Sequence, residues 1–443
     1  MKRMLTVLAV FALIAGACTA GGGDEESPPP TVNPSASPEP VTIEMWTFLS
    51  EADGKALVDV LDMFYEQYPW ITVELVYDQY DRQIFNAIRG GNPPDVASLG
   101  GPDAIGQICS TGAWIDLNPY VQRDGVDTSI FPGSVDTYTQ FEGVRCAMPM
   151  LADAYGLFYN LDLFADAGLT EPPATVSELS EYAKALTVRN PDGTLKVAGY
   201  LPWLGFYGEW GSGALAQMFG AQWFDEQGNS VINTDPQWKT ALEWQKELID
   251  WYGVDNVVKF VSEHDDEWAP DMAFQTGDVA MMFDGEWRVD TIRDQVGDAL
   301  SYDTAPMSVD DTMADKYGLG QTGGTIIGIS KGSPNTEAAW LLVRYLSTDT
   351  DALVYLSNNF LNIPTTTESA SSPELESPPQ FQTFLDIFVN PYSSYGVITK
   401  SGTAHPSSMD DFIAKWQQGK VSDLQAGLDE VAAAIDAQQQ LGA

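Results

Sequence analysis

Apolar residues fall into short alternating runs separated by stretches with helical spacing. Residues 41–46, Val-Thr-Ile-Glu-Met-Trp, alternate with period two and predict a strand. Leu57, Val60, Leu61, Phe64 and Tyr68 then recur at helical spacing until Pro69 stops the run. Residues 71–77 predict a second strand, 82–89 a helix, and 94–99 a third strand closed by glycines. The pattern continues with an extended segment over 147–160 and a helix after Pro173, where Thr175 and Glu178 have the spacing of a capping box. Further strands are expected over 278–283 and 325–330. Pro334 opens a helix with Ala338, Leu341, Leu342 and Tyr345 on its inner face, and Leu424, Leu428, Val431 and Ile435 mark a last amphipathic helix. Strands alternating with helices in this way predict an α/β protein built on a parallel sheet with crossover helices.

The first forty residues follow a different rule. Lys2 and Arg3 precede an apolar run over 4–15 that is too short to span a membrane, and small residues follow, so residues 1–17 read as a secretory signal. Residues 18–40 are Gly, Asp/Glu, Pro and Ser with almost nothing to bury, which predicts a disordered or polyproline-like linker. Ala15-Gly16-Ala17-Cys18 resembles the lipobox of bacterial lipoproteins, which implies that Cys18 becomes the lipidated first residue. The alternative is ordinary secretion with Cys18 lost alongside the signal. Both readings place the protein outside the cytoplasm.

Composition narrows the function. With 63 acidic against 21 basic residues the formal net charge is −42, so nucleic acid and anionic lipid surfaces are excluded as partners. The acidity reads as a solubility device more readily than as a sign of a cationic ligand. With Cys18 set aside, Cys109 and Cys146 are the remaining thiols, and in an oxidising compartment such a pair reads as a disulfide. His264 and His405 are the only histidines, too few for a zinc site or a Ser-His-Asp triad. Asp265-Asp266 beside His264 lacks the spacing of a calcium loop, so neither metal nor cofactor is expected.

Several segments, in order, resemble the family 1 extracellular solute-binding proteins of ABC importers, which include the maltose-binding type. They are Ile43 to Trp46; Phe64-Tyr65-Glu66-Gln67-Tyr68-Pro69; Gly90-Gly91-Asn92-Pro93-Pro94-Asp95-Val96; and Gly112-Ala113-Trp114-Ile115-Asp116-Leu117. Met148-Pro149 with Tyr155-Gly156-Leu157-Phe158-Tyr159-Asn160 follows, then Phe274-Gln275-Thr276-Gly277-Asp278-Val279-Ala280-Met281-Met282 and Gly285-Glu286-Trp287. The resemblance implies two Rossmann-like α/β lobes joined by a three-segment hinge, the type II periplasmic-binding-protein-like arrangement. Crossings are expected near Ala152-Asp153, Ala305-Pro306 and Ile363-Pro364. Lobe one would hold residues 41–152 and 307–364, and lobe two residues 153–306 and 365–443. The ligand of an open parallel sheet is expected in the crevice at the carboxyl ends of the strands.

A sugar receptor needs flat aromatics against the C–H face of the ring, with carboxylates and amides for its hydroxyl rim. The resemblance places Trp46 and Trp287 as stacking rings, Asp153 as a hinge acid, and Tyr155 in the strand beside it. Glu51, Asp103 and Asp284 follow predicted strands on the cleft side. Trp203, Tyr207, Glu209 and Trp210 form an aromatic and acidic cluster, with core packing as the alternative for its rings. Gly323-Gly324 allow close backbone approach, Gly324 being the candidate site residue, and Arg288 is a nearby cation whose alternative is a structural salt bridge. The expected function is a monomeric, lipid-anchored receptor without catalytic activity. It captures a mono- or oligosaccharide by hinge closure on the extracytoplasmic face of the membrane and passes it to an ABC permease. A cationic amine or polyamine in the same fold, or a secreted glycoside hydrolase with paired carboxylates, are the alternatives.

Overall fold

Alternation along residues 41–46 buries Ile43 and Met45 and makes this strand the centre of a parallel layer. In the computed structural model, which describes residues 39–206, 211–264 and 266–441, Val41–Trp46 pairs in parallel with Ile71–Val76 and with Val96–Leu99. The signal, Cys18 and most of the linker lie outside the described residues, as do Tyr207, Glu209 and Trp210. Helix Lys55–Gln67 turns Leu57, Val60, Leu61 and Phe64 onto this layer and ends just before Tyr68-Pro69. Phe64 meets Tyr345 of helix Thr336–Thr348 with ring centroids 5.3 Å apart.

The sheet continues antiparallel through Thr322–Ile329 to the long strand Met148–Asn160, with the short strand Ile363–Pro364 at its edge. Met148–Asn160 is buried along most of its length and serves two layers. Up to Ala154 it pairs with Thr322–Ile329; from Tyr155 onward it pairs with Met281–Gly285 on one side and Tyr302–Ala305 on the other. Helices cover both layers, so the molecule is a mixed α/β fold with two α/β halves sharing one strand. Helix Val176–Leu186 begins at a complete capping box between Thr175 and Glu178.

The chain leaves the first half within Asp153–Tyr155. The second passage, expected at Ala305-Pro306, comes instead at Gln321–Thr322. The intervening stretch stays with the second half: Val309 exchanges backbone hydrogen bonds with Ala174 and Val176, and Asp310 donates its N–H to Met218 O. The segment after residue 364, expected to remain with the second half throughout, also departs from expectation. Thr365 bonds to Met150, and Thr367 to Ile130. Helix Pro379–Val389 packs on Tyr302–Ala305, where Thr304 bonds to Gln380 and Thr383. Residues 394–402 then return to the first half, where Lys400 lies 3.4 Å from Glu142.

Cys109, in helix Ile105–Thr111, is joined to Cys146 just before the long strand, with Cα atoms 5.3 Å apart. Much of the tryptophan content is core: Trp114, Trp238 and Trp340 are fully buried. No helix among the described residues is long and apolar enough to cross a membrane.

Candidate functional site

Loops that follow the carboxyl ends of Val41–Trp46 and Val96–Leu99 meet the two passing strands around a cavity of about 380 Å³. The first half contributes Phe48 and Gly100–Asp103, the passing strands Asp153, Tyr155 and Gly323-Gly324, and the second half Trp268 and Trp287. Gly324 has φ of 137°, and a Cβ there would come within 2.3 Å of Leu151 O. Only glycine lets the backbone lie this close to the long strand beside the cavity.

Trp287 owes its position to the glycine before it. It starts helix Trp287–Gln295 directly after strand Met281–Gly285, and its ring covers Gly285, where a Cβ would clash at 2.3 Å. Tyr155 stands edge-on to the indole, with centroids 5.4 Å apart at 88°. Trp268 forms a second aromatic plane at the rim and is 53% exposed. Its ring lies over the Arg288 guanidinium, 4.6 Å from the centroid. Arg288, buried, bonds Asp284 Oδ2 through Nε at 2.5 Å and Glu267 O through a terminal nitrogen at 2.8 Å. Asp284 and Arg288 therefore do not line the cavity; they pair beneath it and support the Trp268 shelf.

The floor carries two buried acids. Asn362 donates from one side-chain nitrogen to Asp153 Oδ1 and Glu286 Oε1, both at 2.8 Å, and Glu286 Oε2 accepts the Ala154 N–H at 2.8 Å. Three segments thus meet here: the long strand, the start of the Trp287 helix and the residue preceding Ile363–Pro364. Burial pushes Asp153 up to about 7 and Glu286 well above the ordinary carboxylate range, the latter raised further by the charge of Asp153. Ionising both of these adjacent buried carboxylates at once is costly, so their protons are lost as a property of the pair and not of either residue alone. Burial pushes the Tyr138 hydroxyl well above the usual phenol value, and the neighbouring acid pair adds to the rise.

Asp103 accepts a hydrogen bond from the Tyr395 hydroxyl, and Tyr395 sets its ring edge-on to Tyr138 at 6.1 Å. The structure thus brings Asp103, Asp153, Tyr155, Trp287 and Gly324 to one cavity. It leaves Trp46, Glu51 and Trp203 outside. Trp46 shares a strand face with Glu44 and donates its indole N–H to that carboxylate at 2.7 Å. The ring expected there is supplied by Phe48, beyond the strand end. Glu51 is exposed on the turn beside Tyr77, whose hydroxyl is pushed up by burial and then by the Glu51 charge, and Trp203 packs partly buried against the core. Residues that pattern reading missed are Phe48, Trp268, Asn362 and Tyr395. Trp268 had a signal, a lone indole in an acidic run; Tyr395 lies where sequence resemblance fades.

The family model for bacterial extracellular solute-binding proteins matches residues 49–352. The maltotriose-binding protein of Pyrococcus abyssi is 22% identical over 311 residues, covering 69% of this chain and 63% of that protein. The mannitol-binding protein of Pseudomonas aeruginosa is 27% identical over 244 residues, covering 51% and 53%. The chain thus spans somewhat over half the length of these curated relatives. Among solved structures, CpMnBP1 with mannotriose bound superposes with a TM-score of 0.77 at 25% identity, covering 89% of this chain and 100% of that one. An ABC substrate-binding protein from Listeria monocytogenes in complex with cycloalternan gives 0.75 at 21% identity, covering 91% and 100%, a likeness of fold. With its two α/β halves, shared strand and cavity between them, the chain belongs to the bacterial extracellular solute-binding protein family.

Proposed function

We propose that this protein is an extracytoplasmic carbohydrate receptor of an ABC importer, without chemistry of its own. It grips a mono- or oligosaccharide between two lobes and hands it to a membrane permease. The observation that carries the reading is the cavity at the passing strands. Its aromatic planes, Trp287, Trp268 and Phe48, come from both halves, and its polar groups, Asp103, Asp153 and Asn362, suit a hydroxyl rim. The names of the relatives, which bind maltotriose, mannitol and mannotriose, support the same class. We take lobe one to be residues 41–153 with 322–376, and lobe two the remainder up to 441, with residues 394–402 leaning back on lobe one. Cys18 serves as the lipid anchor and residues 19–40 as the leash, and the receptor works as a monomer.

Because both lobes contribute contacts, the closed form alone realises all of them, and the ligand shifts the open–closed balance. A thermal-shift screen with neutral sugars and polyols beside polyamines tests the class, since a tight ligand raises the melting temperature with its concentration over Kd. Sugars are expected to shift it. A shift by amines with none by sugars would overturn the carbohydrate reading in favour of an amine receptor. Hydrolysis products on incubation with oligosaccharides would overturn the statement that it lacks chemistry.

A further inference from the structure

Residues 395–402 leave the second half, touch the first and return. At the near root, Ser393 Oγ accepts the Gly320 N–H at 3.0 Å. Ser394 forms an isolated bridge with Gln321 and accepts from Gln217 of helix Ser212–Phe219. At the far root, Ser401 Oγ accepts from Gln439 of helix Leu424–Leu441 at 3.0 Å. Helix Ala404–Gln417 follows at once, with Asp410 accepting the Ser212 N–H at 2.8 Å. Both roots are fixed to the second half.

The tip of this arm lies on the first half. Its closest approach is at Gly106, inside helix Ile105–Thr111, where a Cβ would stand 2.1 Å from Thr399 O and 3.1 Å from a methyl of Ile398. A helix gains nothing from glycine here, since alanine favours the conformation more; the bare Cα lets the backbone of the arm come in. Around that contact the Tyr395 hydroxyl bonds Asp103, the Tyr395 ring stands edge-on to Tyr138, and Lys400 reaches Glu142 at 3.4 Å. The Cys109–Cys146 bridge ties the same helix to the chain just before the long strand, so the surface under the arm is firm. These contacts join the halves apart from the strand they share, and protein groups alone make them. They hold only while the halves lie close together. Such contacts shift the open–closed balance toward the closed form before a ligand adds its own share.

We propose that residues 395–402 are a clasp: an arm of the second half that grips helix Ile105–Thr111 of the first, holds the halves together before a ligand arrives, and lifts from Gly106 as the cleft opens. This rests on capture by closure and adds to it a built-in bias toward the closed form. The clasp sets how tightly and how long a ligand is held, without deciding which ligand it is.

Small-angle scattering at low salt tests it on the parent, Gly106→Ala, Lys400→Glu and the charge swap Lys400→Glu/Glu142→Lys, each alone and with mannotriose, or with maltotriose where mannotriose gives no thermal shift. Gly106, Glu142 and Lys400 do not line the cleft cavity. Gly106→Ala wedges the arm away at no cost to the helix, and Lys400→Glu sets two carboxylates against each other where salt screens them least. Without sugar, the radius of gyration is expected to rise in Gly106→Ala and in Lys400→Glu, and to return to the parental value in the charge swap. With sugar, all radii are expected to match, and affinity in Gly106→Ala to fall at least threefold by calorimetry. If Gly106→Ala melts below the parent, the two charge variants decide, because restoration by the swap is not a property of a damaged fold. Equal sugar-free radii in variants of parental melting temperature would overturn the clasp, and compaction of the parent by sugar would then leave closure standing. Radii that neither sugar nor any variant moves would overturn closure and clasp together.

Discussion

Asp153 and Glu286 are the residues whose chemistry depends most on their surroundings. A buried acid whose folded value is raised stabilises the fold below its unfolded value, and that contribution is lost as pH rises through the folded value. For Asp153 the window runs from the ordinary carboxylate range to about 7. Burial has the opposite effect on His405: its value falls to about 4, so stability present above the ordinary imidazole value is lost as pH drops toward 4. The two slopes oppose each other over the acidic range, so the parental curve alone is uninformative. The difference between parent and Asp153→Asn isolates the acid pair, because Asn keeps a neutral acceptor for Asn362 and removes the charge from Glu286. The variant is expected to match the parent near pH 4 and to exceed it at pH 8 by about 1–3 kcal/mol, at 1.36 kcal/mol per unit of pKa change. Urea titrations at both pH values check this; equal differences would show that Asp153 is not raised in the fold. Trp287→Ala is expected to weaken sugar binding by about 2–4 kcal/mol in calorimetry while the fold survives, as truncation of a central aromatic anchor does.

Among the elements, helix Val176–Leu186 and the bridge at Cys109 give the sharpest expectations. Thr175→Ala removes the side-chain acceptor of the Glu178 N–H and half of the capping box, and is expected to cost about 1 kcal/mol by urea denaturation. The Cys109–Cys146 bond spans 37 residues, including helices Asn118–Asp124 and Gly133–Tyr138 and the loops around them. Chain-entropy reasoning gives about 3–4 kcal/mol for a loop of this length, so replacing both cysteines with Ser is expected to lower stability by that order. These elements also show what pattern reading captures. The period-two run at Val41, the capping spacing at Thr175 and the apolar face at Ala338 are local rules, and the corresponding elements form where expected. The passage expected at Ala305-Pro306 was not legible, because Val309 and Asp310 are held by backbone bonds to residues more than ninety positions away, and no local pattern encodes them. The cavity was legible where a motif fixes a residue beside a glycine, as at Trp287 after Gly285. It was not legible at Phe48, Asn362 or Tyr395, whose roles depend on which loops the folded halves bring together.

For the whole molecule, the proposed function predicts compaction. Small-angle scattering is expected to show a smaller radius of gyration when the tightest sugar of the thermal-shift screen is added, because lobe closure buries the cleft. An unchanged radius at saturating ligand would count against closure as the mode of capture. The acidity that dominates the composition plays no visible part in the cavity beyond Asp103 and the acid pair. It spreads over the exposed surface, in keeping with a solubility role.

The strand Met148–Asn160 has a further consequence for how the molecule comes apart. Because one continuous segment supplies hydrogen bonds to both layers, neither half can melt without stripping the other of a central partner. Two α/β units on a flexible tether would unravel one after the other, whereas this arrangement couples them into one cooperative unit. Calorimetry of the ligand-free protein is expected to show a single transition whose van't Hoff and calorimetric enthalpies agree.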